Sequence, residues 1–229
     1  MPTAAVIADV HANLEALNSV LAEVEGMDLY CLGDLVDYGA SPNEVVDMIK
    51  KRSAVCLLGN HDEAAITGDP SRMNAKAAMS SLWTTKELTG MNMEYLQSLP
   101  MEQEVRLGGA KTYLAHGSPD DQLWEYVDPR THSDLFGFYL AKKRVELMGL
   151  GHTHVPYVWK ERSGSVFNPG SVGQPRDGDR RASFAIVSSL DGSVEVEVRR
   201  VEYDYDGAAS KIRAAGLPEF FADRLYSGI

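Results

Sequence analysis

Five short polar segments dominate this sequence, each placed directly after an apolar run of strand length. Asp9-Val10-His11 follows Thr3–Ala8, and Gly33-Asp34 follows Asp28–Leu32. Gly59-Asn60-His61-Asp62 follows Ala54–Leu58, and His116-Gly117 follows Lys111–Ala115. Gly151-His152-Thr153-His154 follows Val145–Leu150. Five of the six histidines lie in these segments, and His132 stands apart. In an open α/β sheet, ligands bind outside the carboxyl ends of the strands, so these segments are placed to converge.

The connecting sequence agrees with such a sheet. Leu14, Leu17, Leu21 and Val24 recur at helical spacing within Asn13–Glu25. Ser41-Pro42-Asn43-Glu44 predicts a capped helix running to about Lys51, with Pro42 at the first helical position and Glu44 closing a capping box. Two consecutive strand–helix–strand units imply parallel strands with right-handed crossovers. Residues 63–99 carry no strand pattern and read as two or more helices forming a cap beside the third strand. Beyond Pro100 the chain becomes β-rich. A hairpin turns at Gly108-Gly109, a polar loop spans Pro119–His132, and a helix covers Ser133–Lys143. Later strands fall at Val145–Leu150, Pro156–Lys160, Val166–Asn168, Ser183–Ser188 and Val194–Val201, with Asp191-Gly192 turning between the last two. An amphipathic helix over Tyr205–Ala215 closes the chain.

Side-chain chemistry decides what the five segments build. Asp, Asn and His without Cys make a mixed oxygen and nitrogen donor set, suited to Mn, Fe, Zn or similar ions rather than to a thiolate-rich structural zinc site. Asp9 and His11 are two residues apart, as are His152 and His154, and in extended backbone such pairs point to one side. Asp34 is the single carboxylate directly after its glycine, and its two oxygens can bridge two ions. Two ions held ~3.5–4 Å apart form the clamp used in phosphoryl chemistry.

Charge raises a difficulty for such chemistry. The formal net charge of the 229-residue chain is −11, and a phosphate ester is also an anion. The acidic balance argues against long nucleic acid and anionic membranes as partners. Two divalent ions against Asp9 and Asp34 leave the cleft positive by about two charges, which answers the difficulty locally. Cys31 and Cys56 read as buried reduced thiols, and with no apolar run of membrane-spanning length and no basic leader, the chain reads as cytoplasmic.

The runs DVH, GDLVDYG, GNHD, AHG and GHTH, in this order, resemble the calcineurin-like metallophosphoesterase superfamily over roughly residues 3–187. The stretch from Asn168 to Arg176 (NPGSVGQPR) resembles its compact bacterial branch of phosphodiesterases and diadenosine-tetraphosphatase-like proteins. The resemblance implies an α/β fold of two facing mixed β-sheets flanked by helices, as one domain over 1–229 with a helical cap insertion at 63–100. It implies one ion held by Asp9, His11, Asp34 and His154, and another held by Asp34, Asn60, His116 and His152. The ions would be divalent Mn, Fe, Zn or Ni. His61 would act beside the substrate as proton donor, with Asp62 orienting it. Asn60, His61 and Arg176 would contact substrate, although Arg176 reads equally well as a surface partner of Asp177 or Asp179. Trp124, Tyr126 and His132 are candidates for a substrate wall, with packing under the loop as the default. The implied reaction is hydrolysis of a small phosphodiester or nucleotide-type substrate by a two-metal-activated water. A phosphomonoesterase, including a protein serine/threonine phosphatase, is the alternative. A metal-bearing interaction scaffold is the third reading, and the oligomeric state stays open.

Overall fold

A computed structural model describes residues 3–190 and 193–229. The Asp191-Gly192 turn lies outside the described residues. Chain order begins β1 (Ala4–Ile7), α1 (Leu14–Glu23), β2 (Asp28–Cys31), α2 (Pro42–Arg52), β3 (Ser53–Cys56), then α3 (Asn60–Thr67), α4 (Ala75–Glu87) and α5 (Gly90–Gln97). It continues with β4 (Glu102–Leu107), β5 (Ala110–Ala115), α6 (Pro129–Lys143), β6 (Leu147–Leu150), β7 (Tyr157–Glu161) and β8 (Gly164–Asn168). It ends with β9 (Ala182–Leu190), β10 (Ser193–Val201), α7 (Tyr205–Ala214) and α8 (Glu219–Ser227).

The strands form two five-stranded sheets, ordered β10-β9-β1-β2-β3 and β4-β5-β6-β8-β7. β1, β2 and β3 are parallel, as are β5, β6 and β8, while the remaining pairings are antiparallel. Side-chain alternation explains the layering, because successive residues face opposite sides of a strand. Ala4 and Val6 of β1 join Leu107, Leu114, Leu147 and Phe167 of the second sheet in one buried cluster between the sheets. Ala5 and Ile7 face the other way, into a cluster with Leu17, Val20, Val46, Ile49, Ile212 and Phe221 of the flanking helices. Tyr113, Met148 and Val166 of the second sheet's outer face pack with Phe136, Tyr139 and Leu140 of α6. The architecture is helix–sheet–sheet–helix, as the resemblance implies.

Three local expectations are corrected. Ser41 precedes α2 and Pro42 fills its first turn, but the Ser41 hydroxyl makes no capping bond. Its backbone enters at φ −123° and ψ 53°, away from the extended geometry of a capping residue. The helical region after β3 starts at Asn60 rather than Glu63, because Asp62 at the third helical position accepts from the Gly59 N–H and closes the first turn. Finally, α7 does not close the chain. α8 follows Pro218 and buries Phe221, Ala222 and Leu225 at helical spacing.

Candidate metal centre

The carboxyl ends of β1, β2, β3, β5 and β6 lead into the five polar segments, and all their predicted ligands are buried. The route of convergence differs from simple strand alternation. Nine non-glycine residues among those described have positive φ, and eight of them lie in the segments after β1, β2 and β6. They are Asp9, His11, Ala12, Asp34, Asp37, Tyr38, His152 and His154. Asp and His tolerate the left-handed region better than most side chains, yet each such residue still costs ~1–3 kcal/mol. The i, i+2 pairs therefore converge through tight left-handed turns rather than extended backbone. The turns are held by β-like bonds: Asp9 N donates to Gly33 O at 3.0 Å, and His11 N donates to Asp34 O at 3.0 Å. Gly59 is required where β3 meets Asp34, since a Cβ there would lie 2.1 Å from Asp34 Oδ1. Gly173 plays the same part against the turn after β1, since its Cβ would meet Val10 O at 1.9 Å.

The geometry falls into two clusters that share Asp34. Asp9, His11, Asp34 and His154 bring donor atoms together in one, and Asp34, His116 and His152 in the other. His154 Nε2 lies 3.4 Å from Asp9 Oδ1, and His11 Nε2 lies 3.7 Å from Asp34 Oδ2. His116 Nε2 lies 3.3 Å from the same Asp34 Oδ2 and 3.0 Å from Asn60 Oδ1. Asn60 thereby joins the second cluster.

Hydrogen-bond partners fix which nitrogens carry protons. His11 Nδ1 donates to Val36 O (2.9 Å), His116 Nδ1 to Leu32 O (2.8 Å) and His154 Nδ1 to Gln174 O (2.6 Å). His152 is reversed, with Nε2 donating to Trp124 O at 3.3 Å. In the neutral tautomers of His11, His152 and His154 the inner nitrogens are lone pairs, whereas His116 Nε2 carries a proton toward Asp34. Inner nitrogens face one another at 3.2 Å in both clusters, His11 Nε2 to His154 Nε2 and His116 Nε2 to His152 Nδ1. Asp9 Oδ1 and Asp34 Oδ2 are buried carboxylate oxygens without a hydrogen-bond partner. The crowding of His11 Nε2, His154 Nε2 and the partnerless Asp9 Oδ1 in the first cluster is an arrangement that a cation stabilises. The donor set therefore fits divalent metal.

Burial holds the imidazoles of His11, His152 and His154 well below the ordinary histidine range, in the neutral form that metal binding requires. Burial also opposes charge on His116, but the neighbouring Asp34 carboxylate outweighs it and lifts the group to about 9. A metal ion at Asp34 would take the place of that proton.

The residues around His61 correct its expected partner. His61 Nδ1 donates to Asp37 Oδ2 at 2.7 Å, and its Nε2 lies 3.1 Å from the Tyr38 hydroxyl. Burial works against its imidazolium, yet Asp34 and Asp37 together raise it above the usual value. Asp62 faces elsewhere. Its Oδ2 accepts from Asp34 N (2.9 Å) and Gly59 N (3.0 Å), and its Oδ1 accepts from Leu35 N (2.9 Å) and Val36 N (3.3 Å). The cause is helical: adjacent residues on the first turn of α3 diverge by about 100°. Asn60 thus points at the second cluster, His61 at the cleft and Asp62 at the Asp34 loop. Asp37 and Tyr38 were missed as site residues, although both lie inside the GDLVDYG run.

The cleft in front of His61 is a cavity of about 200 Å³, lined by Asn60, His61, His152, Tyr38, Trp124 and Tyr126, among others. Tyr126 stacks on His152 at 3.8 Å between ring centroids, and the Trp124 Nε1–H donates to Glu63. Two of the three candidates for the wall are thus at the cleft. His132 is not; it sits in the first turn of α6, bonded to Thr131 and Asp128. Met73 lines the cleft, whereas Met79 and Met91 of the helical cap are exposed. Arg176 pairs with neither predicted carboxylate: Asp177 bonds Arg200, and Asp179 bonds Arg181. Its guanidinium donates to Gln174 Oε1 at 3.3 Å, and its buried Nε has no partner. The charge balance also changes. Asp37 and Asp62 are as fully buried as Asp9 and Asp34, so four carboxylates offset two divalent ions. Any positive surplus must come from side chains.

Comparison with known proteins agrees with this geometry. Residues 3–192 match the calcineurin-like phosphoesterase superfamily domain. The chain is 37% identical over 244 residues to an uncharacterised protein of Methanocaldococcus jannaschii, covering 98% of this chain and 97% of that one. It is 34% identical to a metallophosphoesterase from Sphaerobacter thermophilus, whose crystal structure superposes with a TM-score of 0.84 over 99% of both chains. A hypothetical protein from Pyrococcus horikoshii superposes with a TM-score of 0.89 at 25% identity, over 100% of this chain and 99% of that one. The chain belongs to the calcineurin-like phosphoesterase superfamily, and its reaction class is the hydrolysis of phosphoric esters.

Proposed function

We propose that this protein hydrolyses a small phosphodiester or nucleotide-type substrate with two divalent transition-metal ions. The observation that carries the reading is Asp34 Oδ2, a buried carboxylate oxygen without a partner, lying 3.7 Å from His11 Nε2 and 3.3 Å from His116 Nε2. One ion would be held by Asp9, His11, Asp34 and His154, the other by Asp34, Asn60, His116 and His152. When bound, the ions supply an activated water and positive charge against the phosphoryl oxygens.

The chain's own groups supply the rest. His61 is a cleft-facing imidazole whose far nitrogen is fixed by Asp37. As imidazolium it donates the proton from Nε2 to the departing ester oxygen, a contribution of ~10²–10⁴ in rate. Tyr38 sets the direction of that nitrogen. Asp62 keeps the Asp34 loop in place and takes no part in proton transfer. Arg176, free of carboxylate partners among the described residues, binds a phosphate oxygen. The helices within 63–100 belong to the same domain as a cap, with Met73, Asn74 and Ala77 contributing to the cleft. A nucleotide-type substrate is favoured over a small monoester by the cleft wall, where Tyr126 is 52% exposed.

The test is to strip the protein with chelator, restore Mn²⁺, and compare an aryl phosphodiester, an aryl phosphomonoester and a dinucleoside polyphosphate. Turnover that depends on metal and favours the diester or the dinucleotide supports the reading. Metal-independent turnover contradicts the metal site, and preference for the monoester contradicts the substrate class.

A further inference from the structure

The cleft at His61 does not end at the metal clusters. It continues into a second cavity of about 350 Å³, and the two share Tyr38, Asn74, Ala77 and Tyr126. Three cations line the second cavity: Lys76 from α4, Arg176 from the loop after β8, and Arg224 from α8. No carboxylate side chain lines it among the described residues. In a chain of net charge −11 this concentration of one sign is unusual.

Twelve of the other nineteen lysines and arginines pair with an acidic side chain. Arg200 pairs with Asp177, Arg181 with Asp179, Arg213 with Glu219, and Lys143 with Glu102. Among the described residues, none of the three at the cavity pairs with an Asp or Glu side chain. Lys76 Nζ lies over the Phe220 ring at 3.3 Å, and Arg224 lies over the same ring at 5.1 Å. The Arg224 Nε–H donates to the backbone oxygen of Ile229. The Arg176 guanidinium donates to the neutral Gln174 side chain. Burial and the adjacent Arg176 together pull the Arg224 guanidinium down to about 10, so the two like charges are held close enough to repel. Holding them there costs free energy that an anion between them would return. The four buried aspartates already offset two divalent ions, so these side chains add to the His61 imidazolium as the positive surplus of the cleft.

We infer that this cavity is a second anion subsite, in which Lys76, Arg176 and Arg224 hold a substrate phosphate other than the one being cleaved. The inference rests on the hydrolysis proposed above and narrows its substrate class. Substrates carrying at least two phosphates, such as dinucleoside polyphosphates or nucleotides bearing a second phosphate, are preferred to esters of a single phosphate. Lys76 and Arg224 are specificity determinants drawn from α4 and α8, remote in sequence from the metal-binding segments.

Two measurements on the full chain test it. Calorimetry with inorganic pyrophosphate on chelator-stripped protein reports the cationic cavity without the ions. Binding is expected for the unaltered chain, and Arg224→Gln or Lys76→Gln should each weaken it about tenfold, the worth of one charge-assisted hydrogen bond. In Mn²⁺-loaded protein, the ratio of kcat/KM for a dinucleoside polyphosphate to that for an aryl phosphodiester should fall about tenfold in each variant, mainly through KM. Lys76 lies on the exposed side of α4, so its variant guards against loss of α8 in the other. No pyrophosphate binding by the unaltered chain overturns the subsite, as does binding that leaves the substrate ratio unmoved in both variants. Absent turnover of the aryl diester would instead overturn the hydrolytic reading, while the calorimetric result would still decide the subsite.

Discussion

Asparagine at position 62 should damage the fold and the metal centre together, whereas asparagine at 37 should slow turnover and spare both. Asp62 is fully buried, and its two oxygens accept from four backbone N–H groups, those of Asp34, Gly59, Leu35 and Val36. An amide has one oxygen, so Asp62→Asn aims an NH₂ at two of those donors. Two buried N–H groups left unpaired cost ~1–3 kcal/mol each, or about 2–6 kcal/mol together. At ~2–4 °C per kcal/mol for a chain of this length, Tm falls by roughly 5–20 °C. The released loop carries Asp34, so bound metal should fall as well. Asp37→Asn keeps an acceptor for His61 Nδ1 but removes its charge. A charged hydrogen bond exceeds a neutral one by about 1–1.5 kcal/mol, so kcat should fall about tenfold with Tm and metal content nearly unchanged. Thermal denaturation, elemental analysis and steady-state kinetics on both variants provide the readout. If Asp62→Asn kept its Tm and metal and lost only kcat, Asp62 would be the positioning residue of His61, and the roles assigned here would be refuted.

Other outcomes follow from the same geometry. Gly59→Ala places a Cβ 2.1 Å from Asp34 Oδ1 and 2.2 Å from Asp34 N, so it should lose stability at or beyond the ~3 kcal/mol typical of severe single substitutions, read by chemical denaturation. Mn²⁺ at about 100 times its Kd should add ~2.7 kcal/mol and raise Tm by several degrees over chelated protein; Asp34→Asn should show little of this rise. Tyr38→Phe removes the 3.1 Å contact to His61 Nε2 and should cost less than about tenfold in kcat, with metal content unchanged.

Much of this architecture was legible before any coordinates. Apolar runs of four to six residues mark strands wherever both faces of a sheet are covered, which is why β1 and β6 stand out. Ligand identity was legible because Asp, Asn and His directly after such runs have few other reasons to be buried. What the sequence hid is orientation. The partner of His61 depends on the helical phase of α3, which begins at Asn60 and swings Asp62 away. Asp37 lies 24 positions before His61, and only the left-handed turns at Asp34, Asp37 and Tyr38 bring it there. α8 escaped notice because its three buried residues are spread over only nine. Arg224, which it carries to the cleft, escaped notice with it.

In the proposed centre Asp34 joins two metal ions. Anomalous diffraction from crystals grown with Mn²⁺ tests it most directly. Two peaks per chain are predicted, about 3.5–4 Å apart, with Asp34 Oδ2 between them. One peak should be ringed by Asp9, His11 and His154, the other by Asn60, His116 and His152. A single ion, or two ions of which only one contacts Asp34, would contradict it.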